Sequence, residues 1–490
     1  MLSSLAHFTY AYKQQSGQIP TPPPPPPPPS SASYFGFDSC SPILHYGMYN
    51  ASVIDDSGNG YNPAHQNNVD TTQSITGDGR YSLNGNGLEE TVGTAYIQAN
   101  ANVAFPATAQ THGFSVAFWL YPTDNNTNSK CIFSINDYIA MGQPTNETRT
   151  WVYTNFAQGN QNSLYYMPLL TMDTWNHIII NFNPNPSTTA HRFWLNGTEV
   201  FPTNNGKVHY IPNYPTGVQN NILLGKPSQT MAVGYNSQGY FFDNFHNHMD
   251  DVYILNQTAP LSDYDVIRLR ETSPMTAFYT FENFTGSTLK DDCRVYDATI
   301  SGGCVNTTRS HNGSYSATFE SGVVSNVATK YITLPEISMA GSGLSISAWI
   351  WTDAGNLAND SCVFEMEGDT GSITNLKLYT YASDRTKYRL GADTGTIFYV
   401  ATGQWNHIVI TIDAIQGTKI YVNGTLTINI TYQTTIKPTT KIDAGGFLGR
   451  ALTNAGNIRT HPGSIDHIRI YNNVLSQNAV NVLYDNGNGD

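Results

Sequence analysis

Three carboxylates crowd one short stretch of this chain, Glu365-Met366-Glu367-Gly368-Asp369. Alternate residues of an extended strand share a face, so the three side chains can gather at one spot. Two carboxyl groups about 5–5.5 Å apart are what a retaining glycosidase needs, one as nucleophile and one as acid. The comparable stretch earlier in the chain, Ser134-Ile135-Asn136-Asp137, carries neither glutamate. The plainer reading, a solvated strand edge, is the one expected here, and the chain is expected not to be an enzyme. The histidines do not cluster at metal-ligand spacing. His246 and His248 alternate along one strand edge without an evident third ligand, which argues against zinc.

Aromatic residues are the other source of chemistry, because rings with a polar tip suit sugar and protein surfaces alike. Trp151 and Tyr153 sit two apart and share a strand face, with Tyr165 and Tyr166 following. Tyr379 and Tyr381 form a similar pair, with Tyr388 nearby. These seven are the candidate ligand contacts. Near the start, Phe8, Tyr10 and Tyr12 alternate on one side of an extended segment. They are candidate anchoring residues of an arm that continues through eight prolines, Pro22 to Pro29. Such a run forms a polyproline II rod of roughly 25 Å, at about 3.1 Å per residue. Cys293 and Cys304 lie close enough in sequence to clip a local loop as a disulfide.

The elements that must position these residues come in duplicate. Phe114-Ser-Val-Ala-Phe-Trp119 resembles Leu344-Ser-Ile-Ser-Ala-Trp349, and Trp175-Asn-His-Ile-Ile-Ile recurs as Trp405-Asn-His-Ile-Val-Ile. Both tryptophan pairs are 230 positions apart. Phe193-Trp-Leu-Asn-Gly answers Ile420-Tyr-Val-Asn-Gly, and Met249-Asp250 answers Ile465-Asp466. The chain therefore reads as an arm over residues 1–33 and two copies of one domain, 34–271 and 272–490. The four repeated tryptophans are expected in the cores, and His177 and His407 in structural hydrogen bonds. Within a copy the pattern is alternating strands, with Asn196-Gly197 and Asn423-Gly424 marking tight hairpins. Each copy ends in one short helix, capped by Ser262 and by Ser476. Many short strands with a terminal helix predict an all-β fold of two tandem antiparallel jelly-roll sandwiches.

In this order the landmarks resemble the concanavalin A-like lectin/glucanase superfamily, in its laminin-G-like branch. The resemblance rests on the Asp56-Ser-Gly-Asn-Gly60 turn, the tryptophan strands, the Trp-Asn-His strands, the Asn-Gly hairpins, the Leu223-Leu-Gly225 and Phe447-Leu-Gly449 elements, and Ile465-Asp466-His-Ile-Arg-Ile-Tyr471. It covers nearly all of residues 40–490. It implies a sandwich that binds glycans or proteins. It also raises calcium, and no other cofactor, at Asp56, Asp250, Asp292 and Asp466, where relatives hold the ion or brace loops. The second copy departs at its opening turn, where Cys293-Arg-Val-Tyr replaces Ser-Gly-Asn-Gly. The glucanase pattern on this fold places its aspartate between two glutamates, whereas here Asp369 comes last.

Composition narrows the setting. A net charge of −13 opposes binding to nucleic acid or to an anionic membrane. No apolar run reaches the roughly 18 residues of a membrane span. The first residues lack the basic and apolar regions of a signal peptide. The expected role is a non-enzymatic adhesion or structural protein. It would bind a glycan or protein surface, be tethered through residues 1–33 to a structural partner, and be open to self-association. Because similar domains occur on virus particles, a virion surface is the expected setting. A secreted adhesin or filament subunit and a jelly-roll polysaccharide hydrolase are the alternatives.

Overall fold

A computed structural model describes residue 37 and residues 40–485, apart from 71–81, 85–95, 124–129, 144–148, 155–162, 184–190, 205–216, 226–246, 367–375, 432–440, 452–458 and several shorter gaps. Phe8, Tyr10 and Tyr12 lie outside the described residues. Residues 32–490 make one compact unit.

The strands stack as two successive sandwiches. In the first, one sheet runs in spatial order Thr198–Val200, Arg192–Leu195, Asn176–Phe182, Phe114–Tyr121, His248–Gln257, Ser82–Asn84 and Val69–Asp70. Its other sheet is built around Ser163–Leu169, Arg149–Thr154, Ile139–Gln143, Lys130–Ile135 and Ile222–Leu224. The second sandwich repeats the plan. Gly463–Tyr471, Gly343–Thr352, Trp405–Asp413, Gly417–Val422 and Thr425–Ile430 lie side by side in one sheet. Tyr331–Thr333, Phe447–Leu448, Ser361–Met366, Leu376–Thr380, Lys387–Leu390 and Thr396–Tyr399 lie side by side in the other. Among the described residues, pairing is antiparallel except where Arg459–Thr460 runs parallel to Ser361–Met366.

Alternation along these strands fills two separate cores. Val116, Phe118, Ile178, Ile180 and Ile254 meet Ile132, Met141 and Val152 in the first. Ile346, Ile408, Ile410 and Ile468 meet Phe364, Leu378 and Leu390 in the second. The intervening residues are also covered, which explains why these central strands read as apolar on both faces. Ala117, Ile179 and Tyr253 lie against Leu261, Val266 and Leu269 at the end of the first copy. Val409, Tyr421 and Tyr471 lie against Ala479, Val480 and Leu483 of the terminal helix Gln477–Tyr484. Ser262 caps Asp263–Ile267 with a complete capping box, and Ser476 accepts from Ala479 N at 3.1 Å. A cap of this kind stabilises a helix by about 1 kcal/mol. The first helix runs on into a π-helical turn, Arg268–Thr272, which its sequence does not announce.

The repeated motifs turn out to be one device. Asn196 and Gly197 have φ of 51° and 80°, and Asn423 and Gly424 have 49° and 75°. Both residues of each tight turn are thus left-handed, the type I′ geometry that Asn-Gly favours. Each asparagine Oδ1 also accepts from the backbone N–H of the histidine in the Trp-Asn-His strand, at 2.8 Å in both copies. A Cβ on Gly424 would come within 2.8 Å of the Tyr484 ring, so the hairpin also seats the terminal helix.

Two expectations need correction. Cys293 and Cys304 form no disulfide. Cys304 is buried in the second sandwich core with its thiol toward the Tyr331 carbonyl at 3.4 Å, while Cys293 lies in the cluster beneath the terminal helix, its thiol toward Met275 at 3.7 Å. Closeness in sequence does not aim two Cβ atoms at each other. Of the repeated tryptophans, only Trp349 is fully buried, whereas Trp119, Trp175 and Trp405 are half-buried. Trp405 sits at a strand end, where its Nε1 donates to the Ser310 carbonyl at 3.1 Å.

The sandwiches are joined at a seam. Tyr264 donates to the Val482 carbonyl at 3.1 Å, Ser476 Oγ donates to Glu271 at 2.6 Å, and Arg294 pairs with Asp56. Among the described residues, no helix is long and apolar enough to cross a membrane.

Candidate functional site

Six neighbouring strands of the second sandwich share an outer face that gathers cations and aromatic rings. Ile332, Leu448, Phe364, Leu378, Tyr388 and Phe398 enter the core, so the residues between them point the other way. Register places Phe447 and Lys377 on either side of Glu365, Tyr379 opposite Arg389, and Lys387 opposite Tyr399. Three cations each lie within 6 Å of two rings. Arg450 is 4.3 Å from the centroids of both Tyr331 and Phe447. Arg389 is 5.3 Å from Tyr379 and 5.5 Å from Tyr381. Lys387 is 5.8 Å from both Tyr381 and Tyr399. Such contacts contribute about 0.5–1 kcal/mol each when exposed and more when desolvated.

The face is graded from buried to open. At its middle, Glu365 has no exposure and pairs with Lys377, and Tyr379 donates to Glu365 Oε2 at 3.4 Å. Burial beside that carboxylate pushes the Tyr379 hydroxyl and the Cys362 thiol upward. Toward the edge strand Thr396–Tyr399, Lys387 and Tyr381 are half-buried, Ile397 is 41% exposed and Tyr399 61%. A ligand can reach this edge.

The predicted contacts divide accordingly. Tyr381 lies at the accessible edge. Tyr379 lies on the same face but is only 3% exposed, so it supports the site from beneath. Tyr388 is a correction. It has no exposure, belongs to the core and hydrogen-bonds Thr352 Oγ1, because strand alternation turns it away from Lys387 and Arg389. In the first copy the backbones of Trp151, Tyr153, Tyr165 and Tyr166 lie in two paired strands, with Trp151 opposite Tyr166 and Val152 opposite Tyr165. Their side chains lie outside the described residues, as do Glu367, Asp369 and His246. Sequence reading missed Lys387, Arg389 and Tyr399. The signal was present in Lys387-Tyr-Arg389-Leu, where two cations alternate with two core residues.

The four aspartates brace loops. Asp466 accepts from His311 N at 2.7 Å and His467 N at 2.9 Å, and Asp250 from Asp251 N at 2.7 Å. Asp56 holds Arg294 and Gly47 N, and Asp292 holds Thr280. Asp56 and Asp292 line a cavity of about 260 Å³ at the seam, together with His45, Phe278 and Arg294. Burial raises both carboxyls, Asp292 to about 6. Calcium wants about 6–8 oxygens. Among the described residues no three acidic, histidine or cysteine side chains gather for a metal, and both Asp466 oxygens already accept backbone N–H groups. We propose that these carboxylates serve as loop braces rather than as calcium ligands. Adding EDTA to the full chain is expected to leave its melting temperature unchanged. A drop that calcium restores would show a site these aspartates do not account for. His407 Nε2 lies 2.8 Å from Ser347 Oγ, and burial pushes both His407 and His177 down, His177 to about 3.

A family model described as the concanavalin A-like lectin/glucanases superfamily, Laminin_G_3, matches residues 92–263 and 326–481, more than half of the chain. The chain belongs to this superfamily. Each match falls within one of the two sandwiches described above, consistent with two tandem copies. Search of the curated proteins finds no match. Solved structures similar to this superfamily member include a Trypanosoma rangeli sialidase in complex with 2,3-difluoro-KDN, at 12% identity and TM-score 0.33, covering 69% of this chain and 61% of that one. Domain 4 of AbnA, a GH43 extracellular arabinanase from Geobacillus stearothermophilus in complex with arabinotriose, is 20% identical at TM-score 0.30, covering 44% and 98%. A heptameric SAP-like pentraxin from Limulus polyphemus is 18% identical at TM-score 0.24, covering 31% and 72%. The present chain spans about three-fifths of that sialidase's length. The expectation that this protein is not an enzyme is overturned. Its superfamily unites lectins with glucanases, so membership does not set enzymes aside.

Proposed function

We propose that this protein is a lectin-like adhesion module that holds glycans at the open edge of the second sandwich. The observation that carries this reading is the set Tyr381, Lys387, Arg389 and Tyr399, where the exposed Tyr399 ring and the half-buried Tyr381 ring flank cationic donors on two hydrogen-bonded strands and the turn before them. Rings give a sugar's apolar face a flat surface, and the cations donate to its oxygens. The Pro-rich arm over residues 1–33 tethers the module to a larger assembly, for which a virus particle is the setting proposed and a secreted adhesin the alternative.

The test is a polysaccharide-binding panel with the full chain, Tyr399→Ala and Tyr381→Ala. One stacked ring is worth about 0.5–1.5 kcal/mol, so each variant should weaken binding roughly 2- to 12-fold. Binding that both variants leave intact would place the glycan elsewhere. Cross-linking residues 1–33 in the native particle tests the tether, and an arm that touches no partner there overturns it.

A further inference from the structure

We infer that the glycan taken by this edge is an anionic one, its carboxylate or sulfate groups held by Lys387 and Arg389 and its rings by Tyr381 and Tyr399. This rests on the glycan-binding reading above and narrows its ligand.

The charge arrangement carries the inference. The chain has 23 basic residues and a net charge of −13. Yet Lys377, Lys387, Arg389 and Arg450 all stand on this one face. The carboxylates around them are largely committed. Glu365 is buried against Lys377, Asp360 reaches Arg389 at 3.4 Å, and Asp384 accepts from Thr386. The Lys387 ammonium makes no ion pair within 4 Å of a described carboxylate, although Asp384 on the preceding turn feels its charge, and its neighbours within 6 Å include two ring faces. A cation held between rings keeps its charge while losing part of its water, so an incoming anion displaces less solvent. Lys387 and Arg389 are two apart on one strand and face the same way, so successive anionic groups along a chain can meet them in turn.

The rings favour a sugar polymer over an acidic peptide. Tyr399 and Ile397 present exposed apolar surface beside the cations, which charge neutralisation alone does not require. Such a surface suits the CH faces of pyranose rings.

The experiment measures binding of the full chain to four immobilised polymers: dextran, dextran sulfate, polygalacturonate and polyglutamate. Dextran and dextran sulfate differ only in sulfation, and polygalacturonate asks the same question of carboxylates. At least one anionic polysaccharide is expected to bind more than tenfold tighter than dextran and than polyglutamate. Raising the salt concentration should weaken that binding, as screening requires. Lys387→Gln should reduce it several-fold and flatten its salt dependence, whereas Tyr399→Ala should reduce binding without flattening it. Lys387 is half-buried at a sheet edge, so its replacement should melt like the parent. Equal binding of dextran and both anionic polysaccharides, insensitive to Lys387→Gln, overturns the anionic preference and leaves the lectin reading standing. Polyglutamate binding as tightly as the polysaccharides overturns the glycan class. Binding of none of the four overturns both readings.

Discussion

Replacing Lys377 by methionine is expected to lower the unfolding free energy by about 3–5 kcal/mol, the usual cost of stranding one charge of a buried pair. Glu365 has no exposure, and the Lys377 side chain is only 10% exposed. Neither partner can fall back on water. The Tyr379 hydroxyl donates to the same carboxylate at 3.4 Å, and Phe447 of the neighbouring strand lies opposite Glu365. The double variant Glu365→Met with Lys377→Met removes both charges and should recover most of the loss, since a buried pair replaced by apolar residues of similar size is often neutral. Chemical unfolding of the three proteins checks this. A single variant as stable as the parent would mean that the Glu365 carboxylate reaches water.

His177→Gln should change how the protein responds to acid. Burial pushes this imidazole down to about 3 from its ordinary 6.5. Trp119 lies 4.9 Å from it. In the unfolded chain the ring protonates as pH falls through its ordinary value, while in the folded chain it stays neutral until about pH 3. Its contribution is therefore intact above pH 6.5 and is lost progressively between there and about 3. The loss is roughly 1.4 kcal/mol per pH unit, approaching 4–5 kcal/mol at the acid end. Glutamine carries no such penalty. The parent and the variant are compared at a series of pH values, and the difference in unfolding free energy should shift toward the variant across this window. Asp56 and Asp292, whose carboxyls burial raises, act in the opposite sense as pH falls. They are common to both proteins and cancel in the difference. A difference that stays constant with pH would show that His177 is solvated in the folded state.

The duplicated plan was visible in the chain because its landmarks are local. Asn-Gly supplies two left-handed residues, Ser262 and Ser476 cap the helices that follow them, and the Trp-Asn-His strand meets its hairpin through bonds of the hairpin asparagine's side chain. None of these depends on anything far away. The binding face was only half visible. Period-two spacing places Tyr379 with Tyr381 on one face, and the structure agrees. The same spacing cannot tell which residues on that face are covered, and there the reading of Tyr379 as a contact failed. It also cannot tell whether a single aromatic such as Tyr388 points inward. That depends on which of its neighbours belong to the core, and Lys387 and Arg389 on either side would have revealed it.

Strand pattern, turns, caps and the tandem repeat are written in neighbouring residues, since backbone dihedrals and side-chain periodicity act over a few positions. The grouping of charge is not. Arg450, Glu365, Lys377, Arg389 and Tyr399 come from separate strands and loops, and they meet because sheet registration lines them up. Asp56 and Arg294 meet 238 positions apart because the two sandwiches abut. Which polar groups are buried, and therefore which shift their protonation or face a ligand, follows from the packing of whole layers.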